Sequence, residues 1–309
     1  MKILVVSGFL GAGKTTFIEA LSRKSKREFS VMENEYGEEG IDGSFLERDR
    51  LKVWELTEGC ICCSLKSDFA SSILTIANTL NPEYLLVEPT GVGVLSAVLR
   101  NIAKIEYERI RLLEPVTVVD VNCVDSYLRS FPEIYSDQIK NARNIVLSKC
   151  EEADESLIDD AFSKLRLINT EAQIVRTPYD SIPPEWWENI LQEPLHVSFR
   201  TPLFSKKIAE PDIESLSFSG IRFDSIESLS QILSVLLEGR FGKVVRAKGF
   251  VPINGQWAKI DIAGERYKIE DCPPMKTAKA VVIGSALEKS ALEKLFGCAY
   301  RRSKIKHFE

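Results

Sequence analysis

Short apolar runs alternate with stretches of helical length through the first two thirds of the chain. Candidate strands fall at residues 2–7, 29–33, 51–56, 84–88, 116–120, 144–148 and 172–176. Several are nearly unbroken in Val, Ile and Leu, as strands covered on both faces should be. Stretches with helical spacing lie between them at 14–25, 68–79, 93–104 and 155–169. Repeated strand-then-helix order predicts an α/β fold in which helices flank a mostly parallel sheet.

The pattern breaks over 193–212, where Pro194, Pro202 and Pro211 punctuate an irregular stretch that reads as a linker. Two domains are therefore expected, at 1–195 and 213–300, in keeping with a chain of 309 residues. The second part reads as a strand (215–223), a helix (226–237), four strands (243–252, 256–262, 266–270, 278–283) and a helix (286–295). Ile226, Leu229, Leu233 and Leu236 share one helical face, so this helix can cover a small sheet. Asn254-Gly255 and Ala263-Gly264 are hairpin signals. The unit is expected to be a small α+β domain.

Three of the predicted strands end in chemistry. Gly8 to Thr15 matches GxxxxGK[ST] in full and follows the first strand, where a helix begins. This is the pattern of a phosphate-binding loop. Its glycines let backbone amides cradle phosphate oxygens, and the helix N-terminus adds favourable potential. Gly8, Gly11, Ala12, Gly13 and Thr16 belong to that cradle. Lys14 would reach the β- and γ-phosphates and the Thr15 hydroxyl would ligate magnesium. At the end of the fourth strand, Glu88 would organise the magnesium shell and the attacking water. Gly91, three residues on, would give its amide to the γ-phosphate. Ser148-Lys149-Cys150-Glu151 stands where a guanine-reading NKxD would sit. A carboxylate at Glu151 accepts from guanine N1 and N2, the Lys149 stem can lie on the base, and Ser148 replaces the usual amide. GTP is favoured over ATP, with looser discrimination than NKxD gives.

Composition narrows the partners. A net charge of -5 argues against a general nucleic-acid binder, and the basic residues at 301–306 read as a solvated tail. No apolar run approaches the roughly 20 residues of a membrane span. With the phosphate loop starting at Gly8, no secretory leader is expected. Of seven cysteines, Cys60, Cys62 and Cys63 cluster in Gly59-Cys60-Ile61-Cys62-Cys63, while Cys123, Cys150, Cys272 and Cys298 stand singly and read as core or incidental. Such usage predicts a reduced, cytoplasmic protein. Thiolates are soft ligands for zinc and copper(I), and three of them leave a tetrahedral position open. That suits a metal to be handed on. A redox pair and buried small residues are the competing readings. His196 and His307 are isolated and supply no fourth ligand. A metal shared between two copies would complete the coordination, which keeps a homodimer in view.

GFLGAGKTT, ENEYGEEGID (33–42), GCICC (59–63), ExxG (88–91) and SKCE (148–151) together resemble the CobW-like metallochaperone GTPases. These are relatives of the GTPases that insert nickel into hydrogenase and urease. Residues 242–250, GKVVRAKGF, also look like the start of that family's small C-terminal domain. The resemblance implies GTP hydrolysis coupled to delivery of zinc or cobalt to a client metalloprotein. Cys60, Cys62 and Cys63 would hold the metal, and Glu35 and Asp42, in the mobile first switch, would join the magnesium shell. SKCE and the lack of a histidine-rich tract depart from the family pattern. A GTP-controlled binding module with structural zinc and a small-molecule kinase are the rival readings.

Overall fold

The computed structural model describes residues 1–33, 51–55, 66–195 and 213–297. Most of the expected linker lies outside them. The chain divides into two compact units, each taken by itself.

The first unit is built on one parallel sheet. Its strands are β1 (Lys2–Gly8), β2 (Phe29–Glu33), β3 (Leu51–Glu55), β4 (Tyr84–Glu88), β5 (Arg111–Leu112), β6 (Val116–Asp120), β7 (Asn144–Ser148) and β8 (Gln173–Val175). They run in the order β3-β2-β4-β1-β6-β7-β8, with β5 also paired to β1. The chain leaves β1 toward one edge, returns to place β4 beside it, and then crosses to β6 on the other side. That reversal puts a crevice at the carboxyl ends of β1, β4 and β6, where open α/β sheets bind ligands.

Alternation along β1 decides the packing. Leu4 and Val6 face Phe17 and Leu21 of α1 (Lys14–Ser25), with Trp187 of α7 (Pro184–Asn189) in the same core. Ile3 and Val5 face the opposite core, with Phe69 and Ile73 of α2 (Lys66–Thr79) and Leu95 and Val98 of α3 (Leu95–Ala103). All four β1 residues are 0–1% exposed. Burying each such side chain contributes about 1.5–3 kcal/mol, so the strand carrying the phosphate loop is held from both sides.

The expected strands and helices of this unit are present with shifts of one or two residues at their ends. Four elements were not foreseen: β5, α7, α4 (Val124–Ser130) and α5 (Pro132–Asn141). The last two escaped notice because Pro132 divides them and because their inward face is partly polar. Asp137, Gln138 and Asn141 are all buried, and they break the apolar period that marks a helix. Beyond β7, α6 (Glu155–Ile168) packs beside α5 and buries Ile158, Ala161 and Leu165.

The second unit is a five-stranded antiparallel sheet in the order β12-β11-β10-β13-β9. The strands are β9 (Glu214–Ser219), β10 (Lys243–Ile253), β11 (Gln256–Ala263), β12 (Arg266–Asp271) and β13 (Lys279–Ser285). Leu229, Leu233 and Leu236 of α8 (Ile226–Leu237) and Leu292 and Phe296 of α9 (Lys289–Phe296) share a core with Leu216, Phe218, Val251, Ile260 and Val282. Ser225 caps α8, its Oγ accepting from Ser228 N at 3.2 Å. Asn254 and Gly255 both take positive φ, 48° and 87°, as the two-residue hairpin turn requires. Two boundaries differ from expectation. The first strand stops at Ser219 because the chain turns at Gly220 (φ 76°), and α9 starts three residues late because Ala286 is left-handed (φ 52°).

Candidate functional site

The site begins where β1 runs out. Gly8 (φ 148°), Gly11 (φ 74°) and Gly13 (φ 92°) turn the backbone, and Gly13 is the N-cap of α1. No side chain caps this helix and no acid lies in its first turn. Its leading amides therefore make, with Lys14, a donor set suited to an anion rather than to a cation. Ala12 and Lys14 are buried, Thr15 is half-buried and Thr16 exposed.

Three other segments converge on this loop. The first is the end of β4. Glu88 Oε1 lies 3.8 Å from Lys14 Nζ, with the two side chains 5% and 9% exposed. The second is the turn after it. A Cβ on Gly91 would fall 2.6 Å from Leu10 N and 2.8 Å from Leu10 Cα, so only glycine fits against the loop. The third is the end of β7. Ser148 Oγ donates to Ala12 O at 2.6 Å, so here Ser148 braces the phosphate loop. Lys149 follows in the left-handed region (φ 58°), a conformation that costs a non-glycine residue about 1–2 kcal/mol. Its Nζ meets Asp120 Oδ2 at 2.5 Å. Glu151 is exposed in the short turn at 150–152.

No sequence motif marks Asp120, although it closes β6 as Glu88 closes β4. Its carboxylate is 3% exposed beside a Lys149 that is 45% exposed, and Oδ1 also accepts from Asn122 N at 2.9 Å. Tyr127 and Gln138 carry no sequence signal for the same reason as their helices. Tyr127 Oη donates to Leu10 O at 3.2 Å, and its ring stacks 4.2 Å from Phe9.

The single cysteines of this unit behave as core. Burial, reinforced by Asp120, pushes the Cys123 thiol up to about 12, and burial with Glu151 next pushes Cys150 up to about 11. Both stay protonated at neutral pH and are poor nucleophiles or metal ligands. Iodoacetamide on the native protein near neutral pH is expected to spare both and to modify both after unfolding in guanidinium. Peptide mass mapping reads the outcome, and native labelling of Cys123 would refute the buried-thiol assignment.

Five predicted residues, Glu35, Asp42, Cys60, Cys62 and Cys63, lie outside the described residues, as do His196, His307 and Cys298. Of the expected switch at 33–42 only Glu33 is described. It closes β2 in register with Glu88. Among the described residues no group of three or more potential metal ligands stands together, and no helix is long and apolar enough to cross a membrane.

A glycine-turned loop between strand and helix, a lysine within it and an acid from the neighbouring strand define a phosphate-loop nucleotide-binding protein. The family model for the "CobW/HypB/UreG, nucleotide-binding domain" matches residues 2–176, and that for the "Cobalamin synthesis protein cobW C-terminal domain" matches 213–299. The chain belongs to the CobW/HypB/UreG family. It is similar to the zinc chaperone YjiA of Escherichia coli, 26% identical over 82% of each chain. It is also similar to the zinc chaperone CobW of Pseudomonas aeruginosa, 24% identical over 94% of this chain and 89% of that one. The solved structure of Zn(II)-bound YjiA GTPase from E. coli aligns over 96% of this chain and 98% of that one, at 21% identity and a TM-score of 0.44.

Proposed function

We propose that the protein hydrolyses GTP and uses the cycle to deliver a transition metal, zinc or cobalt, to a client metalloprotein. The observation that carries the nucleotide half is the Lys14–Glu88 pair, 3.8 Å apart and shielded from water at an uncapped helix N-terminus. A buried cation facing an amide-rich turn recognises a polyphosphate, and a buried carboxylate beside it can orient a water for attack on the γ-phosphorus. Thr15, with Glu35 and Asp42, would hold magnesium, whose charge would offset that of the β- and γ-phosphates. Lys149, pinned at its ammonium, would offer its stem to the base, and Glu151 its carboxylate to guanine N1 and N2.

The metal half rests on Cys60, Cys62 and Cys63 and on the zinc-chaperone names of the relatives. Metal here is cargo. In sequence the cysteines lie between β3 and α2, in the connection that leads to β4 and Glu88. If GTP changes zinc affinity, zinc must change GTP affinity by the same factor, commonly about 5–150-fold.

The test is zinc affinity measured by competition with a chromophoric chelator, in the presence of GDP or of a non-hydrolysable GTP analogue. A difference of about fivefold or more is expected, and Cys62→Ala is expected to lower zinc stoichiometry and abolish that difference. Equal affinities in both states would remove the coupling. Zinc that no chelator extracts in either state would mark it as structural, and a phosphorylated small molecule instead of free phosphate would mark a kinase.

A further inference from the structure

We propose that Gln138 is a positioning residue for the hydrolysis step, its buried amide holding the turn after Glu88 in register with the phosphate loop. The inference rests on the GTPase reading above. Gln138 is 1% exposed and spends both amide hydrogens on one turn, Nε2 donating to Gly91 O at 3.1 Å and Gly93 O at 3.0 Å. Its own backbone carbonyl accepts from Thr117 Oγ1 at 3.0 Å, which ties it to β6. The preceding residue, Asp137, accepts from Ser96 N at 3.0 Å through Oδ2, while Asn141 Nδ2 donates to Oδ1 at 3.0 Å. Thus α5 grips the segment 91–96 at three backbone groups.

The neighbouring helix grips the other partner. Tyr127 on α4 bonds Leu10 O, and Leu10 is the residue against which Gly91 leaves no room for a Cβ. The α4–α5 pair therefore holds both segments where they cross, the loop through Tyr127 and the turn through Gln138. The Gly91 amide is the donor assigned to the γ-phosphate, and anchoring its carbonyl limits how the flanking peptides can rotate. Packing alone does not explain a glutamine here. Its Oε1 is buried with no hydrogen-bond partner, so the side chain acts only as a donor, and a buried unused acceptor is tolerated for that purpose.

Gln138→Glu keeps the shape but turns a carboxylate toward two carbonyl oxygens. Its kcat for GTP at about pH 8 is expected to fall about 10- to 100-fold, the scale of a catalytic donor displaced by roughly 1 Å. GDP affinity should stay within about threefold of wild type, since GDP lacks the γ-phosphate. The deficit relative to wild type should narrow toward about pH 6, where a protonated carboxyl regains one donor. A folded variant with wild-type kcat at both pH values overturns the inference. So does one whose GDP affinity and kcat fall together at every pH, which marks a role in folding alone.

Should the variant not fold, hydrogen exchange on the native protein decides. Replacing GDP by a GTP analogue is expected to change protection of peptides covering 91–96 and 133–141 together, and a change confined to the first overturns the inference. A wild-type protein that binds GTP but releases no phosphate removes the GTPase reading and this inference with it. Normal wild-type turnover beside an unaffected variant removes the inference alone.

Discussion

Lys14→Ala will weaken GTP binding by about 10- to 150-fold, the equivalent of one lost charge-assisted hydrogen bond at about 1.5–3 kcal/mol. Turnover is expected to fall further, because the same ammonium would face the charge that develops on the transferred phosphoryl group. The fold adds a second penalty. Glu88 lies 3.8 Å from Lys14 Nζ with its side chain 5% exposed, so truncation takes a nearby positive charge from a buried carboxylate that stands beside an incoming polyanion. Restoring neutrality should recover part of the loss. The double variant Lys14→Ala, Glu88→Gln is expected to bind GDP more tightly than Lys14→Ala alone, although it will not hydrolyse GTP. Titration calorimetry with GDP and GTP checks both statements, and wild-type affinity in Lys14→Ala would remove the phosphate-loop assignment.

Gly91→Ala will act through geometry alone. The added methyl would meet Leu10 N at 2.6 Å and Leu10 Cα at 2.8 Å, and main-chain atoms cannot swing aside as a flexible side chain can. Either the turn retreats or the loop does. A displacement of about 1 Å costs roughly 100-fold in single-turnover hydrolysis, with about 1–3 kcal/mol of overpacking strain in the stability of the first unit. GDP binding should suffer much less, since loop amides and Lys14 would hold the β-phosphate. Rapid-quench measurement of phosphate release, paired with GDP titration, separates the two effects. Hydrolysis at the wild-type rate would show that Gly91 does not face the reacting group.

The parts legible in the sequence were those with a local cause. Buried parallel strands announce themselves as runs of Val, Ile and Leu, and the phosphate loop as glycines with Lys14 and Thr15. Asn254-Gly255 gave away its hairpin because few other pairs take positive φ twice. What stayed hidden depends on long-range contact. The place of Ser148 in the SKCE motif gives no sign that its hydroxyl bonds Ala12 O, 136 residues earlier. Tyr127, Asp137 and Gln138 reach across to Leu10, Ser96 and Gly91, and no spacing rule connects such positions. Ala286 is a smaller case. Its left-handed backbone delays α9, although alanine is the residue least expected to do so.

Of the strands in the parallel sheet, the earliest in the sequence is the one that ends in the middle. β1 spans Lys2–Gly8, but its two neighbours, β4 and β6, are Tyr84–Glu88 and Val116–Asp120. As the chain leaves the ribosome, the residues that will cradle phosphate emerge long before the strands that hold them. Ser148, which braces the loop, comes later still. A nascent chain that ends before Tyr84 has a bare apolar central strand with both edges open, the state in which strands pair wrongly. The nucleotide can thus stabilise only a nearly finished first domain.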